Sequence, residues 1–552
     1  MLSTIAAALP IFVLLYLLAL HPHTNKETGR REMGIFAPFA ALSAAAAALI
    51  TAVFIMNMPV PAAISAFIYG AASGLFPIGW IIFAAIFLYN TTVVSGKFEI
   101  IKNSVANLTP DRRLQALLIS FSFGAFIEGA CGFGTPVAVS GAIMVGLGFR
   151  PIQAAVICLI ANTAPVAWGA IGTPILTLGQ VSNIPPELIS MMAGRQLSLF
   201  SLIIPFWMVA TLVFMDKGKW SDVIAVWPAT LICGASFAIT QFAMSQAGNV
   251  MLVNIGSGIV SLFITTLFLR VWKPKTIMGH EGAHKETTKH TIGEVINAWM
   301  PWIFLAIAVV LLGIPEIRSA LNRIFMPVID VPYVHGLVYH TPPLGQNIAM
   351  DAKFIWNILS MAGTGIMFAA ILSGFIVLRL KSEQWKEAMG ITVRRMKVPL
   401  TVICAVLGLG YLSRYAGTDA VLGLAFTKTG SAYPFFASML GWLGVFLTGS
   451  DTASNAMFGN LQRITADQLG LNPVLIVTAN STGGVMGKMI DAQSIVVATV
   501  ACYENPKQGM AAIGPIFRTV VWHSIALAVL LSAFIWLQNG LLSFMQVHMP
   551  PL

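Results

Sequence analysis

The chain has 552 residues, of which 57% are hydrophobic and only 9% charged, whereas soluble proteins carry about 25% charged residues. No soluble fold can bury such an apolar fraction, so lipid must be the solvent for much of the chain. The net charge of +10 does not indicate nucleic acid binding, because the basic residues lie in short loops between apolar segments, as the positive-inside rule requires. The apolar runs are too long for a transmembrane barrel, so the predicted fold class is an all-α polytopic membrane protein.

The N-terminal segment 2–20 predicts a first membrane helix rather than a secretory signal, since no basic residue precedes it and no small-residue cleavage site follows. Because Lys26, Arg30 and Arg31 come after this helix, the N-terminus is predicted to lie outside, and alternation then puts the C-terminus outside as well. Simple spans are predicted near 3–20, 35–55, 62–90, 195–215, 223–245, 250–272, 299–314, 354–380, 398–413 and 519–540.

Four basic loops, at 21–33, 97–113, 273–289 and 381–397, fall on one side of the membrane when these spans are followed in order. That side is predicted to be the cytoplasm, and the charge-balanced segment 315–351 is predicted to lie outside. The agreement among the loops supports a topology of about 12 to 14 membrane segments.

Two apolar stretches, 115–182 and 432–500, are interrupted by glycine, proline and polar residues at membrane depth. Lipid tolerates such breaks only where protein or a water-filled cavity satisfies the backbone. Gly124–Ile127 can be aligned with Gly444–Leu447, and Asn162 and Asn480 follow at similar spacings. The first stretch is predicted to start inside and the second outside, as an inverted repeat of broken or re-entrant helices requires.

This organisation divides the chain into scaffold helices, two broken-helix transport units and their connections. The predicted boundaries are 1–114 for N-terminal membrane helices, 115–194 for the first transport unit, 195–272 for membrane helices, 273–298 for a basic cytoplasmic loop, 299–431 for further membrane helices, 432–500 for the second transport unit, and 501–552 for a C-terminal loop and last helix.

Two acidic residues stand inside the interrupted stretches. Glu128 lies among glycines in FGAFIEGACGFGTP, and Asp451 lies among hydroxyl and amide residues in LTGSDTASN. An ionised carboxylate at membrane depth is costly unless it is paired or hydrated, so both are candidate proton carriers, with Glu128 the first choice. The alternative for each is structural, namely capping of a helix that starts after a break, or pairing with a nearby cation.

The segments Asn162–Pro165 and Asn480–Gly484 are predicted to break their helices, and the substrate is predicted to bind where the broken helices meet. Broken helices that face one another present free N–H groups and positive partial charge, which suits a small organic anion without a dedicated lysine or arginine. The alternative is a kink used for packing. The predicted substrate-binding residues are Asn162, Thr163, Ser450, Thr452, Ser454, Asn455, Asn480, Ser481 and Thr482.

Four other charged residues form a possible charge network. Lys488 and Asp491 are one helical turn apart, and Arg414 and Asp419 flank RYAGTD. Close opposite charges at membrane depth are often structural pairs, so structural and functional roles both remain open.

A metal centre is the weakest of the possible sites. His280–His284 matches HExxH, with His290 where a third ligand would stand, but a glycine interrupts this short polar loop. No Walker A sequence, haem site or iron–sulfur motif is present, so no cofactor and no resident metal are predicted.

The strings FGAFIEGACGFGTPVAVSGAIMVGLGF, LIANTAPVAWGAIGTPILTLGQV, LGWLGVFLTGSDTASNAMFGNLQ and ANSTGGVMGKMIDAQSI resemble the bacterial L-lactate permease family, and the likeness extends from about residue 50 to the end. The resemblance implies proton-coupled uptake of L-lactate, glycolate and related 2-hydroxy monocarboxylates across the bacterial plasma membrane. It implies that Asn162, Thr163, Asn480 and Ser481 line the site. Arg414, Asp419 and Asp491 depart from the family pattern and leave the preferred acid open.

We therefore predict a secondary transporter, not an enzyme, whose partners are a monocarboxylate anion, protons and the lipid bilayer; the oligomeric state is left open. Three alternatives remain. The coupling ion is Na⁺ held by Asp451 and nearby hydroxyls, or the loop from His280 to His290 makes the chain a membrane metalloenzyme, or the chain is a structural or sensing subunit without flux.

Overall fold

The computed structural model describes residues 2–17, 21–24, 31–33, 37–106, 108–132, 134–279, 290–340, 348–503 and 505–550. Within these residues helices predominate, and the strands form three short antiparallel pairs, Pro22–Thr24 with Arg31–Met33, Val328–Asp330 with Lys353–Ile355, and Tyr339–His340 with Ile348–Ala349.

The helices are α1 (Leu2–Leu15), α2 (Ala37–Ile50), α3 (Val60–Ser73), α4 (Trp80–Val94), α5 (Lys97–Ala106), α6 (Arg112–Ala116), α7 (Gly124–Cys131), α8 (Thr135–Gly146), α9 (Pro151–Ala161), α10 (Gly169–Ser182), α11 (Pro186–Met215), α12 (Trp220–Ile224), α13 (Trp227–Gln246), α14 (Val253–Val271), α15 (Ile292–Gly313), α16 (Pro315–Ile324), α17 (Ala362–Ile376), α18 (Ser382–Ala416), α19 (Thr418–Phe426), α20 (Tyr433–Thr448), α21 (Asp451–Leu469), α22 (Pro473–Gly487), α23 (Ala492–Cys502) and α24 (Pro506–Asn539).

Nine helices among the described residues are long and apolar enough to cross a membrane, and eleven if each of two bent pairs counts as one span. Three shorter apolar helices, of 10 to 17 residues, accompany them. Large hydrophobic side chains such as Phe54, Phe263 and Phe375 point outward from the protein, which is stable only when that surface meets lipid. The predicted multi-pass helical class is confirmed.

The structure extends several helices into segments that the sequence analysis treated as loops. The predicted basic loop 381–397 forms the first half of the 35-residue helix α18. The amide N–H of Lys381 donates to Gln384 Oε1 at 2.9 Å, and the Trp385 ring packs between Phe87 and Phe375. Charge marks the end of the apolar part of a helix, not the end of the helix, so this boundary was wrong.

Each of the two interrupted stretches contains two helix breaks. In the first, α7 and α8 are separated at residues 132–134, and α9 meets α10 at a bend of 71°. In the second, α20 and α21 are separated at Gly449 and Ser450, and α22 meets α23 at a bend of 41°. Across the stretches, α8 packs on α23 and α10 packs on α21. The inverted symmetry of these units, and the division of the chain into domains, remain predictions.

One predicted break is in the wrong place. Residues Asn480 to Gly484, which the sequence analysis placed at a break, lie inside the continuous helix α22. The glycines serve close helix packing instead, because Gly483 lies directly against the backbone of Ser438, and Gly441 of α20 lies against the backbone of Asn480. The interruption comes later, in the 3₁₀ turn Lys488–Ile490 and at Asp491.

A buried ion pair ties the start of the first stretch to the loops on the same side. Arg113 and Asp111 are almost completely buried and pair at 2.7 Å. The Arg113 guanidinium also donates to the carbonyl oxygens of Asp222 and Thr276, both at 2.6 Å. The Met278 amide donates to Asp111 at 3.2 Å. One arginine thereby fastens three separate chain segments.

We expect Arg113→Met to destabilise the protein strongly, because it leaves the Asp111 carboxylate buried without its cation. Breaking a buried pair in this way costs about 3–5 kcal/mol. The thermal unfolding midpoint in detergent measures the effect. Lys102→Met is the matched control, since its pair with Glu99 is partly exposed and such a pair contributes roughly 0–1 kcal/mol. Equal midpoints for the two variants would contradict the assigned role.

Candidate functional site

A cavity of about 200 Å³ lies where the four helix breaks meet. This volume is many times the roughly 15 Å³ that one water molecule needs. Its walls come from both interrupted stretches and from the middle of α18. The lining residues are Glu128, Gly132, Gly134, Val166, Gly169, Ala170, Thr173, Pro174, Val398, Pro399, Val402, Ile403, Thr448, Gly449, Ser450, Asp451, Thr452, Ala453, Lys488, Gln493, Ser494 and Val497.

The first turns of four helices contribute to this lining. Gly134 precedes α8, Thr173 lies in the first turns of α10, Thr452 in that of α21, and Ser494 in that of α23. The first N–H groups of a helix lack intrahelical partners and carry partial positive charge. These helix starts therefore contribute hydrogen-bond donors and partial positive charge to the cavity wall.

Backbone with positive φ shapes three of the breaks, and in the one at the start of α10 Ala170, Ile171 and Gly172 have φ of 43°, 58° and 74°. Gly132 has φ 60° and its neighbour Gly134 has φ 75°, while Gly449 has φ 70°, values that only glycine adopts without strain. At Gly449 space is also limiting, because an added Cβ would lie 3.0 Å from Asp491 Oδ1 and from the Gln493 amide. The chain thus needs glycine at position 449 for two separate reasons.

Glu128 lies on α7 and reaches the cavity wall with only 4% of its surface exposed. Its carboxylate lies directly over Gly169 at the start of α10, where any side chain would collide with Oε1. The Asn162 amide and the charge of Lys488 are close by. Its Oε2 atom makes no hydrogen bond of good geometry to any described residue. Glu128 therefore retains capacity to bind a proton or a ligand.

Asp451 is the first residue of α21, where Ser450 caps the helix by accepting from the Ala453 N–H at 3.2 Å. Its Oδ2 accepts from Ser481 Oγ at 2.6 Å. Its Oδ1 lies over Gly484 and has no hydrogen-bond partner in the described part of the chain. Each acid thus lies against a glycine and keeps one oxygen free. The capping that the sequence analysis kept as the structural alternative is present after Gly449, with Ser450 and not Asp451 as the cap.

The other predicted polar residues of the second stretch lie behind the cavity wall. Asn455 Nδ2 donates to the Pro174 carbonyl at 3.1 Å, and Asn480 Nδ2 donates to Asn455 Oδ1 at 2.9 Å. These bonds tie α21 to α10 and α22. Ser454 lies against Gly444, and Thr482 faces away to donate to Gln196 at 2.6 Å.

The structure therefore divides the predicted substrate-binding residues into two groups. Ser450 and Thr452 line the cavity. Those that are buried without forming part of its lining are Asn162, Thr163, Ser454, Asn455, Asn480, Ser481 and Thr482. Asn162 lies beside Glu128 and Ser481 binds Asp451, so these two contact the candidate proton carriers instead.

The possible charge network separates into two places. Lys488 lines the cavity and pairs at 3.1 Å with Asp491, which is buried behind it. Asp419 accepts instead from Asn460 Nδ2 at 3.0 Å. The Arg414 guanidinium lies near Asn183 and over the Tyr415 ring, among residues outside the cavity lining.

Sequence analysis missed part of the cavity wall. Thr173, Gln493 and Ser494 line it, and each belongs to a motif, IGTP or MIDAQS, that the family resemblance had already singled out. The apolar wall from Val398 to Ile403 belongs to α18. No sequence pattern marks these residues, because only the packing of α18 brings them to the breaks.

Residues His280 to His284 lie outside the described residues, so the HExxH hypothesis is untested. In the described part of the chain no three His, Cys, Asp or Glu side chains are grouped so that they could hold a metal ion.

Comparison with known proteins decides the family. The sequence profile described as L-lactate permease matches residues 3–542. The chain belongs to the L-lactate permease family. It is 39% identical to the L-lactate permease of Bacillus subtilis strain 168, over 99% of this chain and 97% of that protein. It is also 43% identical to the glycolate permease GlcA of Escherichia coli strain K12, over 89% of each.

Solved structures resemble this permease-family chain only distantly. The crystal structure of the Alcanivorax borkumensis YdaH transporter covers 98% of both chains, with 14% sequence identity and a TM-score of 0.43. At this level the likeness adds nothing to the description of the site.

We expect Gly449→Ala to lower transport strongly, because the new methyl group strains a positive-φ backbone and pushes against Asp491 and Gln493. Uptake of labelled L-lactate into proteoliposomes that contain the purified variant measures the effect. Gly470→Ala is the matched control. Gly470 has φ 65° and open space around the Cβ position, so it shares the backbone strain without the crowding. Equal activity of both variants would show that crowding at the break is unimportant.

Proposed function

We propose that this chain takes up L-lactate and related 2-hydroxy monocarboxylates such as glycolate by proton symport across the bacterial plasma membrane. One observation carries the proposal. Glu128 and Asp451 line a cavity at the meeting point of four helix breaks, and each keeps a carboxylate oxygen without a partner in the described part of the chain. The names of the relatives, L-lactate permease and glycolate permease, supply the substrate class.

The cavity wall suits a small hydroxy acid. A carboxylate has only acceptor atoms, and the first turns of α8, α10, α21 and α23 present N–H donors. The hydroxyl groups of Ser450 and Thr452 can both donate and accept, so they suit the 2-hydroxyl of the substrate. Those of Thr173 and Ser494 already donate to the Gly169 carbonyl and to Asp491, so they can only accept. The apolar face of α18 at Val398 and Val402 suits its hydrocarbon part.

Electrostatic repulsion couples the proton to the anion. An anion that enters beside two ionised carboxylates is repelled in this low-dielectric surrounding. Protonation of Glu128 removes one negative charge and turns its free oxygen into a donor. The loaded site then crosses the membrane with less uncompensated charge, which lowers the cost of exposure to lipid. Glu128 is the first choice for the carrier, since its carboxylate receives less hydrogen bonding than that of Asp451, and Asp451 is the second.

The two broken-helix units, 115–194 and 432–500, form the moving part in this proposal, and helices of 1–114 and 299–431, α18 among them, form the scaffold. The shared order of helix, break and helix in the two stretches supports an inverted repeat. Because α18 contributes to the cavity wall, relative movement of the units against it changes the access to the site.

The test is counterflow of labelled L-lactate in proteoliposomes, with and without an inward proton gradient, in Na⁺-free buffer. Gradient-stimulated accumulation is the expected result. If lactate exchanges without proton stimulation, and accumulation appears when Na⁺ replaces choline in the buffer, the coupling ion is Na⁺. An absence of lactate movement in either condition would overturn the proposal.

We expect Glu128→Gln to abolish uphill uptake and to leave part of the lactate exchange intact, because glutamine keeps the shape and the neutral hydrogen bonding but cannot release a proton. The ratio of gradient-driven lactate uptake to lactate exchange at equal pH measures how far the variant loses the first activity while keeping the second. Glu316→Gln, at an exposed carboxylate on α16, is the control and is expected to match the unmodified protein. A parallel fall of uptake and exchange would remove Glu128 as the proton carrier.

A further inference from the structure

We infer that Lys488 binds the carboxylate of the transported anion, and that Asp491 is the positioning residue that holds the Lys488 ammonium group at the cavity wall. The inference rests on the proposed function and adds a dedicated cation to it. The sequence analysis had expected helix N-termini together with hydroxyl and amide side chains to bind the anion, without a dedicated lysine or arginine.

Lys488 lies at the break between α22 and α23 and is 93% buried, with 7% of its surface exposed, where it lines the cavity. Its Nζ donates to the Gly449 carbonyl at 2.6 Å and pairs with Asp491 Oδ2 at 3.1 Å. An ammonium group has three N–H donors. These two contacts use two of them, so one donor is left for a ligand.

Asp491 differs from the other two acids of the site because its oxygens are fully used. Oδ1 accepts from the Ser494 amide at 2.7 Å, and Oδ2 accepts from Ser494 Oγ at 2.6 Å as well as from Lys488. Both bonds from Ser494 favour the ionised carboxylate. Asp491 therefore acts as a fixed negative charge and helix cap, which orients Lys488 toward the break at Gly449.

Among the described residues that line the cavity, Lys488 is the one cation, and it faces two acids, Glu128 and Asp451, with Asp491 behind it. If all four groups are ionised, the net charge at the site is negative and repels an anion. Protonation of Glu128 lowers this negative charge by one, and protonation of Asp451 as well would leave Lys488 and Asp491 to balance one another, so the remaining ammonium donor meets an anion more readily. A carboxylate ligand on Lys488 thus explains why anion binding would depend on protons at the two free acids.

A purely structural role of Lys488 and a substrate-binding role predict different results when both charges of the Lys488–Asp491 pair are removed. If Lys488 only compensates Asp491, then Lys488→Met combined with Asp491→Asn removes both buried charges and should preserve folding and transport, since neutral replacement of a buried pair is often tolerated. If Lys488 binds the anion, the double variant folds but loses lactate binding. The double variant therefore distinguishes the two roles. Lys488→Met alone does not, because it leaves the Asp491 carboxylate buried without its cation.

The experiment measures L-lactate counterflow in proteoliposomes for the unmodified chain, the double variant, Lys488→Arg and the exposed-lysine control Lys386→Met. Loss of a charge-assisted hydrogen bond of about 1.5–3 kcal/mol corresponds to a rise of roughly 10- to 150-fold in KM. We expect this rise in the folded double variant, a smaller rise with unchanged maximal rate in Lys488→Arg, and no change in Lys386→Met.

Two results overturn the inference while leaving the proposed function in place. The first is an unchanged KM for L-lactate in the double variant, when size-exclusion chromatography shows that this variant is folded. The second applies when the double variant is not folded, and it is an unchanged KM in Lys488→Arg. The first condition of the experiment, counterflow by the unmodified chain, tests the proposed function separately. Failure there removes both.

Discussion

The architecture depends on one constraint, which is that backbone interrupted within a membrane must find its hydrogen-bond partners inside the protein. This chain interrupts four helices around one cavity, and buried polar side chains compensate the freed groups. Lys488 donates to the Gly449 carbonyl, Asp491 caps α23, and Ser450 caps α21. Side chains at one break thus form hydrogen bonds with the backbone of another, so the polar cavity is a consequence of how the helices end and restart.

The same constraint separates the three acids of the site. Asp491 spends both oxygens on Ser494 and Lys488 and so belongs to the framework. Glu128 and Asp451 each lie over a glycine, where no side chain can intervene, and each retains an oxygen without a partner in the described residues. Framework acids need complete hydrogen bonding, whereas an acid that exchanges a proton or meets a ligand needs an open position.

Several features of the site were visible in the primary structure. The glycine-rich surroundings of Glu128 and the cap-like residues around Asp451 predicted buried acids at helix breaks, and both residues line the cavity. The Asn480–Gly484 prediction was wrong because glycine is ambiguous. It permits a break, but it also permits two helices to pack at backbone distance, as Gly441 and Gly483 do. Local composition cannot separate these uses, since the difference lies in the neighbouring helix.

The sequence by itself determined the membrane class, the family and the two interrupted stretches, because hydropathy, charge placement and long motifs are properties of consecutive residues. Only the tertiary structure decided which polar groups meet. The α18 wall, the burial of Asn455 and Asn480 behind the cavity, and the contact of Lys488 with Gly449 all join residues far apart in the chain. Their geometry follows from helix packing, which no spacing along one segment encodes.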